Sequence, residues 1–305
     1  MSLALRTVNT LVRAMKKPAP DSDDDAVQIE AVKSLPGLYG PPKAGLRRIA
    51  NVETITVAGQ TVYHLTPKGH RTGTQMIFWH GGAWVLPLAQ TQWGLIKTLI
   101  KKSGAEMWVP EYALAPRKTI DDSLQLMDDL TDLVVARAGR GRLIIAGDSA
   151  GGNLATTQAL RMRERGTRPP DQLLLFSPCI DVSFSNPESY LVQTKDIALN
   201  VKSVQACGRA WAGKRSVKDP LISAMYADLT GMPPMAIYQG TDDIMTPDNR
   251  IFVEKARAAG VKVDYIERPD APHTYILLQF TPEARQDIIH ATNLIKGPAT
   301  RIGDI

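Results

Sequence analysis

The sequence predicts an α/β protein in which a mainly parallel sheet is covered by helices on both faces, and three observations predict it. Short apolar runs at 75–79, 107–110, 142–146, 172–176, 235–239 and 261–266 have the length of buried strands. Helical patterns near 90–103, 119–138, 151–165, 249–259 and 283–295 alternate with them, and strands alternating with helices of that size form βαβ units, whose strands run parallel. Gly147-Asp148-Ser149-Ala150-Gly151 falls where one run ends and a helical pattern begins, the strand-turn-helix setting in which Gly-x-Ser-x-Gly lifts a serine hydroxyl out of the backbone.

Taken in order, the chain opens with Leu5, Val8, Leu11, Val12 and Met15 at helical spacing, while Arg6, Arg13, Lys16 and Lys17 take other positions. This amphipathic helix is expected to dock on the protein's own apolar surface rather than on a membrane, and to end in solvent at the acidic run Asp21 to Asp25. Residues 34–46, rich in Pro and Gly, read as a linker. Asn51 to Leu65 alternate apolar with polar residues on both sides of Ala58-Gly59-Gln60, an antiparallel hairpin at a sheet edge. From about Phe184 to Trp211 the alternation breaks. That stretch is too long for a βα connection and has helical spacing of its own (Val201, Val204, Trp211), so it is expected to be an insertion over the C-terminal edge of the sheet.

Composition narrows the function classes. A chain of 305 residues with 44% hydrophobic and 22% charged residues can bury a full core. Its net charge of +5 is spread along the chain, which argues against nucleic-acid binding. The only cysteines, Cys179 and Cys207, lack the spacing of a disulfide framework or a zinc site and are expected to be free thiols. No apolar run has the length of a membrane span, and Arg6 and Arg13 interrupt the N-terminal apolar residues, unlike a secretory signal; a cytoplasmic protein is expected.

The chemistry centres on Ser149. The helix after it points its N-terminus, with free N–H groups, toward the place where an oxyanion would form. A serine needs a base. Of five histidines, His64, His70 and His290 fall in the hairpin, a turn and the last helix, where they read as surface or filler; His80 and His273 follow strands, at the edge where open parallel sheets gather active sites. His273 lies after the last strand and gives the chain order Ser, acid, His, so it is the candidate general base. His80 opens His80-Gly81-Gly82-Ala83-Trp84, whose glycines leave backbone N–H groups uncovered. Gly81 and Gly82, with Ala150, are assigned to an oxyanion hole, and His80 to orienting that loop. The acid that holds the imidazole comes from the loop with Asp242, Asp243 and Asp248. Spacing alone leaves Asp242 and Asp243 both open, one facing His273 and the other capping the turn.

Together with Tyr112-Ala-Leu-Ala-Pro116, Ser177-Pro-Cys-Ile-Asp181 and Asp219-Pro-Leu-Ile-Ser223, these boxes resemble the bacterial hormone-sensitive-lipase-like carboxylesterase branch of the α/β-hydrolases, across roughly residues 75 to 280. The resemblance implies an α/β-hydrolase fold with an eight-stranded sheet and a helical cap. The chain would divide into cap helices and linker (1–45), core (46–183), cap insertion (184–215) and core again (216–305). The family's acid box is similar to Asp243-Ile-Met-Thr-Pro247, which implies Asp243 as the acid. Ala83 stands where the family has a third glycine, Thr274-Tyr275 where it has Gly-Phe, and the acid box lacks its Pro, Leu and Arg.

The expected activity is hydrolysis of short-to-medium acyl esters through an acyl-enzyme on Ser149, with no metal or cofactor and activity rising through roughly pH 6 to 7 as the histidine becomes neutral. The expected partner is a small-molecule ester, with no nucleic acid and no stable membrane insertion; a homodimer is left open. The rival enzyme reading is an arylformamidase, because His80-Gly-Gly-Ala-Trp84 is also similar to the loop of kynurenine formamidases. A rival from another class is a ligand receptor on the same scaffold, against which the presence of His273 and Asp243 argues.

Overall fold

The computed structural model describes residues 1–15 and 19–297; Lys16 and Lys17, expected on the first helix, lie outside the described residues. All six apolar runs and the hairpin become strands: β1 (Ala50–Val57), β2 (Gln60–Pro67), β3 (Gln75–Trp79), β4 (Glu106–Pro110), β5 (Leu143–Asp148), β6 (Gln172–Phe176), β7 (Met235–Asp242) and β8 (Val263–Pro272). They form one eight-stranded sheet in the order β1-β2-β4-β3-β5-β6-β7-β8. The pairs β1·β2 and β2·β4 are antiparallel, and every neighbour from β4 to β8 is parallel. The hairpin therefore sits at an edge, as its alternation predicts.

The helices are α1 (Leu3–Met15), α2 (Asp25–Lys33), α3 (Ala44–Arg47), α4 (Gln90–Ser103), α5 (Asp121–Ala138), α6 (Ala150–Glu164), α7 (Glu188–Val192), α8 (Val201–Ala212), α9 (Thr246–Ala258) and α10 (Pro282–Lys296). Successive strand side chains point to opposite faces, and this period of two divides the core. Ile77, Trp79, Ile145, Leu173, Leu175 and Ile237 join one apolar cluster with residues of α5, α6, α8 and α9. Met76, Phe78, Ile144, Leu174, Phe176 and Tyr238 join a second with α4 and α10. Each such side chain, fully removed from water, stabilises the fold by about 1.5–3 kcal/mol, which is why strands buried on both faces read as unbroken apolar runs.

After β3 the chain turns to one side to make β4, then crosses to the other side for β5. This reversal opens a crevice beyond the C-terminal ends of β3 and β5, where the His80 loop and Ser149 emerge.

The N-terminal region departs from the expected linear arrangement. Leu5 of α1 is fully buried in the α4/α10 cluster, so this helix docks on the protein's own apolar surface as expected. Ser2 donates to Glu283 at the start of α10 through its N–H and its hydroxyl, and Asn9 Nδ2 donates to Asp270 O. The acidic run, expected to end that helix in solvent, instead starts α2. Asp24 caps it by accepting the Ala26 N–H at 2.8 Å, while Asp23 and Asp25 pair with Lys202 and Arg209 of α8. Beneath those pairs the buried Ser203 hydroxyl donates to Gln28 Oε1 at 2.6 Å. Thus α2 lies on α8 of the inserted stretch, and Val201, Val204 and Trp211, which predicted that helix, are all buried.

Candidate active site

Ser149 sits between β5 and α6 with φ +53° and ψ −120°, a backbone region costly for a non-glycine residue, of order 1–3 kcal/mol. Local packing enforces it. The Ser149 N–H donates to Phe176 O at 2.8 Å, and its carbonyl accepts from Gly152, Asn153 and Cys179. The two motif glycines are required for close approach: a Cβ on Gly147 would stand 2.2 Å from Gly151 O, and one on Gly151 2.1 Å from Trp79 O. Only without these side chains can the helix start so close to β3 and β5.

Ser149 Oγ lies 2.8 Å from His273 Nε2, and His273 Nδ1 lies 2.8 Å from Asp243 Oδ2. The structure thus brings together Ser149, His273 and Asp243 in a single hydrogen-bonded line. Asp243 is fully buried. Its Oδ2 also accepts from Gln239 Nε2, and its Oδ1 accepts the Met245 N–H at 2.9 Å. Asp242 does not join the line. Among the described residues its carboxylate accepts no hydrogen bond, so the expectation that the second aspartate caps the turn is corrected: Asp243 itself does so, through Met245. Asp242 is the last residue of β7 and Asp243 the first beyond it, and successive residues of a strand point to opposite sides.

The His273 side chain is only 7% exposed, and desolvation alone would lower its pKa. The charge and hydrogen bond of Asp243, then the charges of Asp196 and Asp148, outweigh that penalty and leave its pKa above the ordinary 6.5. His80 is the opposite case: burial holds its pKa down at about 4 and keeps it neutral. Its Nδ1 faces Gly81 O at 2.8 Å, its ring stacks on Tyr112, and the Tyr112 hydroxyl donates to His80 O, so it orients the loop as expected. His64 and His290 are filler, bonded to Glu106 and Tyr238.

Gly81 needs correction. Its N–H donates to Asp148 Oδ1 at 3.0 Å and is therefore not free for an oxyanion. Among the described residues, the N–H groups of Gly82, Ala83 and Ala150 meet no protein acceptor, and these three residues line the cavity beside Ser149. Ala83 takes a positive φ of +49° that glycine would adopt more easily. Asp148, the variable residue of the motif, is fully buried, and burial raises its pKa. It also accepts from Gln92 Nε2, whose Oε1 in turn receives the Ala89 N–H. Asp148 and Gln92 were missed as functional residues because no spacing rule links β5 to α4.

A cavity of about 190 Å³ opens above Ser149 and His273. Its walls are mostly apolar and come from three sources: Val32 and Leu35 at the end of α2, Leu199 and Val204 at α8, and Trp84 and Leu277 from the core. The arrangement can activate a hydroxyl, hold an apolar chain beside it and offer N–H groups to a developing negative charge.

A mainly parallel sheet with a serine at its strand-to-helix elbow, a late acid and a histidine after the last strand defines a class of hydrolase scaffolds. The chain belongs to the family described by its alpha/beta hydrolase fold, which matches residues 76–277. It is 31% identical over 228 residues to a triacylglycerol lipase of Mycobacterium tuberculosis, covering 74% of this chain and 47% of the lipase. With an esterase of Acinetobacter venetianus it shares 29% identity over 201 residues, 65% of this chain and 66% of the esterase. The chain thus spans about half of the first relative and just under two thirds of the second. A hormone-sensitive lipase from a metagenome library superposes with a TM-score of 0.78 at 27% identity, over 95% of this chain and 97% of that one. The structure of EstE5, soaked with p-nitrophenyl butyrate, shares the fold with a TM-score of 0.84 at 21% identity, over 97% of this chain and 98% of that one. The resemblance to the hormone-sensitive-lipase-like branch is borne out by these neighbours.

Proposed function

We propose that the chain is a serine carboxylesterase that hydrolyses short-to-medium acyl esters through an acyl-enzyme on Ser149. The observation that carries this reading is the line from Ser149 Oγ through His273 to the buried Asp243, with both contacts at 2.8 Å beneath an apolar cavity. His273 takes the serine proton as Oγ attacks the ester carbonyl; the tetrahedral oxyanion is met by the N–H groups of Gly82, Ala83 and Ala150. The histidine returns the proton to the leaving alkoxide, and the alcohol departs. It then deprotonates a water that attacks the acyl-serine, which releases the carboxylic acid and restores Ser149. All three side chains come from one chain, so the reaction needs no second copy. The cap is assigned to α2 with the inserted α7 and α8, and α1 to the core. The free, buried Cys179 and Cys207 support the cytoplasmic reading. Among the described residues, no helix is long and apolar enough to cross a membrane.

Turnover of aryl esters of increasing acyl length tests the substrate class. The rate is expected to peak at short-to-medium chains and fall once the acyl group exceeds the cavity. N-formylkynurenine, run in parallel, is expected to be the poorer substrate; faster turnover of it would replace this reading by the arylformamidase one.

The acid limb of kcat/KM follows from His273. Its neutral form is the base, and its pKa is raised, so activity is lost as pH falls through a value above 6.5 rather than centred on it. A pH profile of kcat/KM with a limb below 6.5 would contradict the charge arrangement described.

A further inference from the structure

The inserted stretch carries one buried carboxylate that the esterase mechanism does not use. Asp196 lies in the loop between α7 and α8 and is 2% exposed. One of its oxygens, Oδ1, accepts the N–H groups of Ala198 at 2.7 Å and Leu199 at 2.8 Å. The other, Oδ2, accepts the N–H of Ile244 at 2.9 Å. Ile244 follows Asp243, and Leu199 lines the cavity above Ser149. A single side chain thus grips, with one oxygen, the peptide that follows Asp243 and, with the other oxygen of the same carboxylate, the turn that sets a wall of the substrate cavity.

We propose that Asp196 is a positioning residue for the hydrolysis: it fastens the inserted segment to the Asp243 loop, so that the substrate wall and the Ser149–His273–Asp243 line are aligned together. The proposal rests on the serine-esterase reading. Two further observations support it. Asp196 adds negative charge beside His273, together with Asp243 and Asp148, and these are the charged groups that favour its imidazolium. Burial and the neighbouring Asp243 raise the Asp196 pKa to about 6, while His273 and the N–H groups of Ile244 and Leu199 act against that rise. Both oxygens accept N–H groups, an arrangement that the charged carboxylate satisfies without a proton of its own.

Asp196→Asn separates this role from simple packing. Asparagine has the same shape, but its amide meets an N–H donor on whichever side it turns, so one of the two grips is lost along with the charge. The expected result is a fall in kcat of at least about tenfold and, with one negative charge fewer around His273, an acid limb of kcat/KM displaced to lower pH. Leu199→Ala, by contrast, is expected to raise KM for the longer acyl esters and leave the limb in place. A merely structural Asp196 would lower thermal stability without moving the limb. Asp196→Ser, smaller and also uncharged, is read by the same pH profile where the asparagine variant does not fold. An unmoved limb in a folded variant, or failure of both variants to fold, overturns the proposal. Labelling of the wild-type protein with a fluorophosphonate keeps the two readings apart: no adduct on Ser149 indicts the esterase mechanism itself, whereas an adduct with an unmoved limb indicts only the role of Asp196.

Discussion

Ser149→Ala is expected to abolish ester turnover, with kcat falling by about 10⁶, while the protein stays folded. The size of the loss follows from the site's unity. Ser149 Oγ is the atom that His273 Nε2 contacts at 2.8 Å, and without it the base has no hydroxyl to deprotonate and no acyl-enzyme can form. What remains is the electrostatic help of the free N–H groups and the binding of substrate in the cavity, which in triad hydrolases retains only about 10³–10⁴ over the reaction in water. Removing one oxygen leaves the backbone contacts of residue 149 intact, since its N–H still reaches Phe176 O and its carbonyl still accepts from Gly152 and Asn153. Turnover of an aryl ester, with intact mass after fluorophosphonate treatment, measures the effect. Near-normal turnover of the alanine variant would sink the mechanism.

Asp243→Asn is expected to lower kcat by about 10⁴, and Asp242→Asn by no more than about threefold. The asymmetry comes from what surrounds each carboxylate. At Asp243 one oxygen accepts from His273 Nδ1 and Gln239 Nε2, and the other from the Met245 N–H, so every neighbour is a donor. An asparagine amide must then face a donor in either orientation. Turned toward His273, it offers a proton to Nδ1 and leaves the imidazole protonated on Nε2, the tautomer that cannot take a proton from Ser149. Turned the other way, it meets the Met245 N–H and displaces the loop. Asp242 touches none of these groups; its electrostatic neighbours are Asp270, Lys195 and Arg13. Single-turnover rates of the two variants side by side check the assignment, and equal losses would overturn it.

The parts of the fold that were legible in the sequence share one property: the pattern that reveals them is also what stabilises them. Strands β3, β5, β6 and β7 are buried on both faces and must be apolar throughout, so they stand out as runs. The elbow was legible because Gly147 and Gly151 pack backbone against backbone, where no side chain fits. Helix α2, which the resemblance implied only as one of the cap helices within 1–45, shows no such pattern of its own, for the opposite reason. Of its residues only Gln28 and Ile29 are buried, because it lies on another helix rather than on the sheet, and its capping aspartate hides within an acidic run.

At the site, residue types and chain order were enough to pick out Ser149 and His273 and to place the acid in one loop. Three matters needed tertiary structure. Spacing left Asp242 and Asp243 both open and only the resemblance implied Asp243; that its carboxylate is the one that meets His273 Nδ1 is a contact between residues 30 positions apart. The loss of Gly81 as an oxyanion donor depends on a carboxylate arriving from β5, 67 positions away. The grip of Asp196 depends on an inserted loop reaching the peptide after Asp243, 48 positions on. Sequence by itself determined the architecture and the reacting groups, because burial and backbone crowding act on local patterns. Which hydrogen-bond partner each group meets was decided only by the tertiary structure, because that depends on distances between segments that no local pattern encodes.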